Sequence, residues 1–269
     1  MMGIYPASFS SSAKHKRSKM EMFTFLHLLL LATGAMAYVC KHPDRWCSIS
    51  DHPYHVRLAQ QLLDDPDIIP LLGFAESFRV CSGTLVHEQW VLSAGDCYYA
   101  KNLWYPGQKV KPLKVRLGSR GREHQVIPHD NIKLFRNDSG ADNIMLVKLP
   151  EPVSNIITAQ LPTSCTRPNV GEELVGLNCH YKEYYSGRDM NCPLCVDRNV
   201  TKTSELFFYA PPIMSVSPFL SCPTDTGGPI LRREGSADVL YGVQISSSSF
   251  MDVCADPVRQ WINETISEV

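Results

Sequence analysis

The chain has 269 residues and a mass of 30.2 kDa, which allows one large β-rich domain or two small ones. With 44% hydrophobic and 20% charged residues, its composition is that of a globular protein and excludes a disordered or fibrous one. The 26 basic and 27 acidic residues nearly cancel, and beyond residue 37 the balance becomes 22 to 26. The chain therefore lacks the excess of positive charge with which proteins bind DNA or RNA, so we predict no nucleic-acid partner.

The N-terminus has the order of features that defines a secretory signal peptide. Four basic residues between positions 14 and 19 precede an apolar run of about ten residues, and the tripeptide Ala-Met-Ala follows at 35–37. A membrane span needs about 20 apolar residues, so the run is too short to cross a bilayer. We therefore predict a signal peptide at residues 1–37, a secreted, extracellular protein and no membrane span. The alternative is that translation starts at Met20 or Met22.

Cysteines and sequons agree with secretion. All ten cysteines follow the leader, and an even number in a secreted chain predicts a disulfide framework. The close spacing of Cys192 and Cys195 suggests a metal or redox site as an alternative to a disulfide. A zinc site, however, needs a second cysteine pair or suitably spaced histidines. We predict no metal site and no cofactor. Asn-X-Ser/Thr sequons predict glycosylation at three positions, Asn137, Asn199 and Asn263.

Short β-rich runs bounded by turn residues predict an all-β fold, with strands at 54–58, 84–86, 90–92, 113–117, 144–149 and 240–245. One helix is predicted at about 256–267, with Asp256 as its cap and Pro257 in its first turn. Its apolar residues repeat with helical spacing at Val258, Trp261, Ile262, Thr265 and Ile266. Pro150 and Pro152 mark the predicted boundary between two halves.

Four segments carry a family resemblance. They are PYHVRL at 53–58, CSGTLVHEQWVLSAGDC at 81–97, NIMLVKL at 143–149 and CPTDTGGP at 222–229. In this order, they resemble the first strand and the three catalytic segments of the trypsin-like (chymotrypsin-fold) serine proteases. The resemblance spans roughly residues 47–266.

The resemblance implies a fold and its boundaries. It implies two six-stranded antiparallel β-barrels with a short C-terminal α-helix and the active site between the barrels. The trypsin-like (peptidase S1-like) domain is then 38–269, with barrel halves at about 48–150 and 153–252.

Each catalytic position departs from the family pattern. Asp96 stands where the resemblance implies histidine, Asn143 where it implies aspartate and Thr226 where it implies serine. A hydroxyl becomes a nucleophile only with a neighbouring base, and loss of one triad member costs on the order of 10⁴ to 10⁶ in rate. The sequence therefore predicts a catalytically degenerate member with no catalytic residues.

Two further positions depart as well. Thr224 stands at the oxyanion-hole position and Leu220 at the base of the specificity pocket. The pocket-wall segment is only three residues long, 247–249, where the family has a longer loop. No I-V-G-G amino terminus for activation lies near residues 41–44.

The resemblance also implies disulfide pairs. They are Cys81–Cys97, Cys165–Cys254, and Cys47 with Cys192 or Cys195. The partners of Cys40, Cys179 and Cys222 stay open.

These observations predict a secreted serine protease homologue without peptidase activity, a pseudoprotease that binds or scaffolds a protein partner. The loop 59–80 is the candidate binding surface, because it exceeds the usual family spacing and mixes apolar with acidic residues. The alternative is a surface insertion that packs on its own barrel. One rival is a hydrolase with Thr226 as an unconventional nucleophile, and another is a redox or metal protein built on Cys192 and Cys195. We interpret six histidines as structural or solvent-exposed: 52, 55, 87, 124, 129 and 180.

Overall fold

The structure is a computed structural model of the chain. It describes residues 45–46, 52–61, 78–98, 112–117, 123–136, 142–178, 194–213, 226–235 and 237–268. All of them belong to one compact unit, Cys40–Val269. Among these residues, no helix has the length and apolarity to span a bilayer. The signal peptide predicted at 1–37 lies outside the described residues.

Fifteen strands and one α-helix are described. The strands are β1 (Arg45–Trp46), β2 (His55–Gln61), β3 (Phe78–His87), β4 (Trp90–Ala94), β5 (Leu113–Leu117), β6 (Glu123–Ile127), β7 (Ile132–Arg136), β8 (Asp142–Lys148), β9 (Glu173–Asn178), β10 (Leu194–Asn199), β11 (Lys202–Thr203), β12 (Phe207–Tyr209), β13 (Pro229–Glu234), β14 (Ala237–Gln244) and β15 (Ser249–Asp252). The helix is α1 (Asp256–Ser267).

Two antiparallel sheets contain all fifteen strands. The first has the order β6-β5-β2-β3-β4-β8-β7, and the second β1-β10-β9-β13-β14-β15-β12-β11. The predicted all-β architecture with a terminal helix is confirmed. The sheets have seven and eight strands instead of six each, because the second gains the two-residue edge strands β1 and β11.

The first sheet curls on itself. Strands β6 and β7 lie at its opposite edges, yet only Pro128 and a 3-10 turn, His129–Asn131, separate them in the chain. The two edges must therefore approach each other, as they do in a barrel. Counted as one bent strand, β6 and β7 give the six strands that the resemblance implies.

Burial patterns explain why these segments form strands. Every residue of β4 is buried, whereas β5 alternates between buried and more exposed residues. Alternation places one face of β5 in the core and the other toward solvent. The largest buried cluster joins residues of both sheets, including Leu85 and Leu146 from the first and Leu231 and Val243 from the second.

The connector between the sheets begins beside the predicted boundary at Pro150 and Pro152. Its Val153 N–H donates to the Glu88 carbonyl of the first sheet at 2.9 Å. Further along, the Gln160 carbonyl accepts from the Leu240 N–H of the second sheet at 2.8 Å. The connector is therefore held by both sheets.

Helix α1 closes the fold with the predicted apolar stripe. Val258, Ile262 and Thr265 are buried, and the Trp261 ring packs on Phe135 with centroids 5.5 Å apart. The predicted cap is wrong by one residue. Ala255 is the N-cap and makes no side-chain cap hydrogen bond, while Asp256 is the first helical residue, where its negative charge complements the helix dipole.

The predicted loop 59–80 is shorter than expected. Strands β2 and β3 stay paired as far as Gln61 opposite Phe78, so both ends of the predicted loop are strand. The remaining residues, 62–77, lie outside the described residues.

Candidate functional site

The segment around Thr226 connects the second sheet to the first. The Thr226 carbonyl accepts a hydrogen bond from the Ser82 N–H of β3 at 2.9 Å. On its other side, Gly227 donates to the Gln244 carbonyl at 2.7 Å, and Gln244 donates to Gly228 at 2.8 Å. These backbone bonds fix the position of residues 226–228 between the two sheets.

Gly227 is required by this arrangement. Its φ is +84°, a conformation that side chains rarely adopt. A Cβ there would lie 2.2 Å from both the Ser82 carbonyl oxygen and the Ser93 hydroxyl oxygen. Ser93 in turn donates to the Ser82 carbonyl at 2.7 Å, which holds that oxygen in place. The GG of the CPTDTGGP segment therefore lets the backbone approach β3 and β4 closely.

Asp96 is next in the chain to Cys97, which contacts the backbone of Thr226. It is the exposed centre of a 3-10 turn, Gly95–Cys97, that directly follows β4. The sulfur of Cys97 lies 3.6 Å from the Thr226 carbonyl oxygen. The backbone that carries Asp96 thus borders the backbone that carries Thr226.

Asn143 reaches the same place from strand β8. Strands β4 and β8 pair with Ala94 opposite Ile144, so Asn143 continues the ladder beside Gly95. Its side-chain nitrogen is buried and has no hydrogen-bond partner among the described residues. The structure therefore brings the backbones of all three predicted positions, Asp96, Asn143 and Thr226, to the junction of the sheets.

Comparison with protein families agrees with this geometry. The family model described as Trypsin matches residues 70–262. The chain belongs to the trypsin family. Its curated relatives include Trypsin-3 of Salmo salar, 26% identical over 222 residues that cover 71% of this chain and 84% of the relative. Serine protease 1 of Rattus norvegicus is 24% identical over 273 residues, which cover 90% of this chain and 98% of the relative.

Solved structures share the fold of this trypsin-family chain. Kallikrein-related peptidase 10 matches with a TM-score of 0.54 at 20% identity, covering 83% of this chain and 100% of that chain. The scabies mite inactivated protease paralogue S-I1 matches with a TM-score of 0.56 at 17% identity, covering 83% and 99%. At these identities the likeness establishes the chymotrypsin-like fold.

Two predicted site residues lie outside the described part of this trypsin-family chain. They are Leu220, predicted at the pocket base, and Thr224, predicted at the oxyanion hole. The pocket-wall segment 247–249 is described. It lies in the turn between β14 and β15, closed by a hydrogen bond from the Ile245 N–H to the Ser249 carbonyl.

Two of the implied disulfides are present. The structure pairs Cys81 with Cys97 and Cys165 with Cys254. Cys195 is also disulfide-bonded, and its partner lies outside the described residues. Cys47 and Cys192 are outside them too, as are the unassigned Cys40, Cys179 and Cys222.

Sequence reasoning missed a buried cation. Arg198 in β10 is 0% exposed, and its Nη1 donates to the Ala210 and Ser247 carbonyls at 3.0 and 3.1 Å. Its guanidinium carbon lies 5.0 Å from the centre of the Phe250 ring. A Cβ on the neighbouring Gly176 would lie 2.7 Å from Arg198 Nε, so that glycine makes room for the side chain. The guanidinium therefore supports the pocket-wall turn from inside.

The predicted glycosylation sites differ in exposure. Asn263 is exposed on α1, on the side away from the buried stripe. Asn199 ends β10 and is half-buried, with its N–H bonded to the Pro211 carbonyl at 3.2 Å. Asn137 lies outside the described residues.

Proposed function

We propose that this trypsin-family protein lacks peptidase activity and acts by binding or scaffolding another protein. One observation carries the proposal: Asp96, Asn143 and Thr226 occupy the positions at which the family carries its catalytic histidine, aspartate and serine. The fold is compatible with loss of catalysis, because one solved structure of this fold is titled as an inactivated protease paralogue.

The base is the first missing component. In the family's mechanism, an imidazole takes the proton of the nucleophilic hydroxyl and returns it to the leaving amine. A carboxylate such as that of Asp96 is a far weaker base toward a hydroxyl.

The electrostatic partner is also missing. Asn143 is neutral, so it cannot stabilise a positive charge that forms beside it during proton transfer. Its amide oxygen can accept a hydrogen bond, but it lacks the negative charge with which a carboxylate stabilises an imidazolium. The missing negative charge at position 143 therefore opposes triad chemistry.

The segments that form the family's substrate pocket also depart from the family pattern. Arg198 lies behind the shortened turn 247–249 and binds its first residue, Ser247. Leu220 at the pocket base and Thr224 at the oxyanion position add to the proposal from sequence.

The hairpin of β2 and β3 supports a binding role. Its paired strands are joined in the chain by residues 62–77, a sequence with four acidic residues, no basic residue and several large apolar ones. A partner with basic and apolar side chains would match this chemistry. The predicted leader at 1–37 and the disulfides favour an extracellular setting for such a partner.

A fluorophosphonate probe tests the proposal. Such a probe reacts covalently with an activated hydroxyl nucleophile, so we expect no labelling of the purified protein under conditions that label an active trypsin completely. The matched control is Thr226→Ala. Stoichiometric labelling that disappears in Thr226→Ala would contradict the proposal and establish Thr226 as an unconventional nucleophile.

A further inference from the structure

Three apolar side chains lie side by side on the outer face of the segment 207–213. Tyr209 of β12 is 37% exposed, Ile213 is 44% exposed, and Pro211 between them is half-buried. Phe208 and Ala210, which alternate with them, are fully buried. Because successive side chains of an extended segment point to opposite faces, these three share the outer face, and we call them the apolar row. Exposed apolar side chains that lie together are a candidate contact surface.

The end of β10 runs antiparallel beside the apolar row. The Asn199 N–H donates to the Pro211 carbonyl at 3.2 Å, and the Thr201 N–H donates to the Tyr209 carbonyl at 2.8 Å. Asn199 therefore lies opposite Pro211 and diagonal to Tyr209. Both chain neighbours of Asn199 are fully buried, so its own side chain points to the outer face. Cβ atoms of opposite residues on one face are roughly 5 Å apart, and those of diagonal residues roughly 7–8 Å.

Asn199 is also the first residue of a glycosylation sequon, Asn-Val-Thr at 199–201. None of the described residues forms a hydrogen bond with its side chain, so Nδ2 is available for attachment of a sugar. On the other side of β10 its neighbour is Glu173 of β9, which is exposed and charged. A group attached to Asn199 therefore meets a carboxylate on one side and the apolar row on the other.

We propose that the first N-acetylglucosamine of a glycan on Asn199 packs over Pro211 and the ring of Tyr209. A pyranose presents C–H groups on its faces, and their partial positive charge is attracted to the negative face of an aromatic ring. The Tyr209 ring already attracts a positive group, because the Lys202 ammonium lies 5.7 Å from its centre. Lys202 is exposed, so its ammonium stays solvated when the sugar takes this place.

The sugar reaches Asn199 by a transfer that needs no catalysis from this chain. The donor is a lipid-linked oligosaccharide diphosphate of the secretory pathway. Nδ2 of Asn199 forms a bond to C1 of the first sugar, the bond between C1 and the diphosphate oxygen breaks, and Nδ2 loses one proton. The glycan then covers the apolar row with carbohydrate. A protein partner of the kind proposed above would consequently bind elsewhere on the molecule.

Hydroxyl-radical footprinting of the intact glycoprotein tests this packing. The full chain is produced through the secretory pathway of cells that make only high-mannose glycans, and mass spectrometry measures occupancy of Asn199. The measured quantity is the oxidation rate of Tyr209 divided by that of Ile157, a 75% exposed residue of the connector, in the same sample. Three forms are compared: the complete glycoprotein, the glycoprotein trimmed enzymatically to one N-acetylglucosamine per site, and Asn199→Gln. Thr201→Ala, which also destroys the sequon, replaces Asn199→Gln if that variant does not fold.

We expect Asn199 to be occupied and the ratio to rise about threefold in Asn199→Gln, because the sugar no longer covers the ring face. The trimmed form should keep the low ratio, since the first sugar makes the contact. Asn263→Gln is the matched control, which removes a sequon on α1 and should leave the ratio unchanged.

Three results would overturn the proposal. The first is an unmodified Asn199, or the same ratio with and without the sequon. The second is loss of protection on trimming, which would assign it to the bulk of the outer sugars. The third is protection in Asn199→Gln that increases with protein concentration, which would assign the apolar row to contact with a second copy of the chain.

Discussion

The guanidinium of Arg198 packs over the Phe250 ring, 5.0 Å from its centre, while it donates to the backbone of the turn that follows β14. A charged side chain that is fully buried needs partners for its donors, since desolvation of an unpaired charge is costly. Here the Ala210 and Ser247 carbonyls both accept from Nη1, and the aromatic face of Phe250 lies against the guanidinium. One side chain therefore joins β10, β12 and the pocket-wall turn.

Arg198→Ala should destabilise the protein strongly. The substitution leaves the buried Ala210 carbonyl and the partly buried Ser247 carbonyl without their donor and opens a cavity beside Phe250, so we expect a loss of about 3 kcal/mol or more in the free energy of unfolding. Urea unfolding followed by tryptophan fluorescence measures it. Arg232→Ala is the matched control, because Arg232 is an arginine of the same sheet paired with Glu172 at a partly exposed position. Equal losses in the two variants would show that burial of Arg198 is energetically unimportant.

The sequence predicted the strands and helix where periodicity is strong. All six predicted strands exist: the run 113–117 alternates between apolar and charged residues, and the run 144–149 is apolar except for Lys148. Nine of the fifteen described strands were not predicted, among them the short β11 and β12, since Lys202 and Thr203 are exposed and carry no pattern. These two form because β12 pairs with β15, a contact between distant parts of the chain.

The sequence supplied predicted positions for the site but nothing about its packing. Motif spacing located Asp96, Asn143 and Thr226, because the family segments carry them. Arg198 was not found, since a charged residue in a strand is normally placed toward solvent. Only the long-range contacts to Ala210 and Ser247, together with the space left by Gly176, explain why it points inward.

His55 should make the fold sensitive to acid. Burial, together with the positive charge of His52, lowers the pKa of His55 from 6.5 to about 4. Between these values, the unfolded chain binds the proton and the folded protein does not, so stability decreases as pH falls from about 6.5 to 4. The loss between pH 7 and pH 5 should be about 2 kcal/mol.

Urea midpoints at pH 7 and pH 5 measure this loss, and His55→Gln should show a smaller one because glutamine does not titrate. His129→Gln, which changes an exposed histidine, should behave like the unsubstituted protein. Acid sensitivity that is undiminished in His55→Gln would assign the effect to other groups.

Cys47 should pair with Cys195. Strand β1 pairs with β10, with Arg45 opposite Cys195 and Trp46 opposite Leu194, and Cys47 is the next residue in the chain. The other described cysteines already pair with one another. Peptide mapping under non-reducing conditions should therefore recover a linked Cys47–Cys195 peptide. A bond between Cys192 and Cys195 would contradict this pairing, and Cys81 linked to anything but Cys97 would overturn the family alignment.

Asn263 should carry an N-linked glycan when the protein passes through a eukaryotic secretory pathway. Its side chain is exposed on α1, so a glycan meets no packed surface. Asn263→Gln should remove one glycan's mass from the product, as measured by gel mobility before and after endoglycosidase treatment. Glycans are also expected at Asn137 and Asn199. A protein whose mobility does not change on endoglycosidase treatment would contradict the secreted assignment.

Peptide cleavage tests the proposed loss of peptidase activity most directly. Purified mature protein is incubated with fluorogenic peptides that carry arginine, lysine or an aromatic residue before the scissile bond, beside an equal amount of Thr226→Ala. We predict that both proteins release fluorophore at the rate of the buffer blank, because Asp96 and Asn143 cannot perform the proton transfer that Thr226 requires. Turnover by the unsubstituted protein that is abolished in Thr226→Ala would contradict the account.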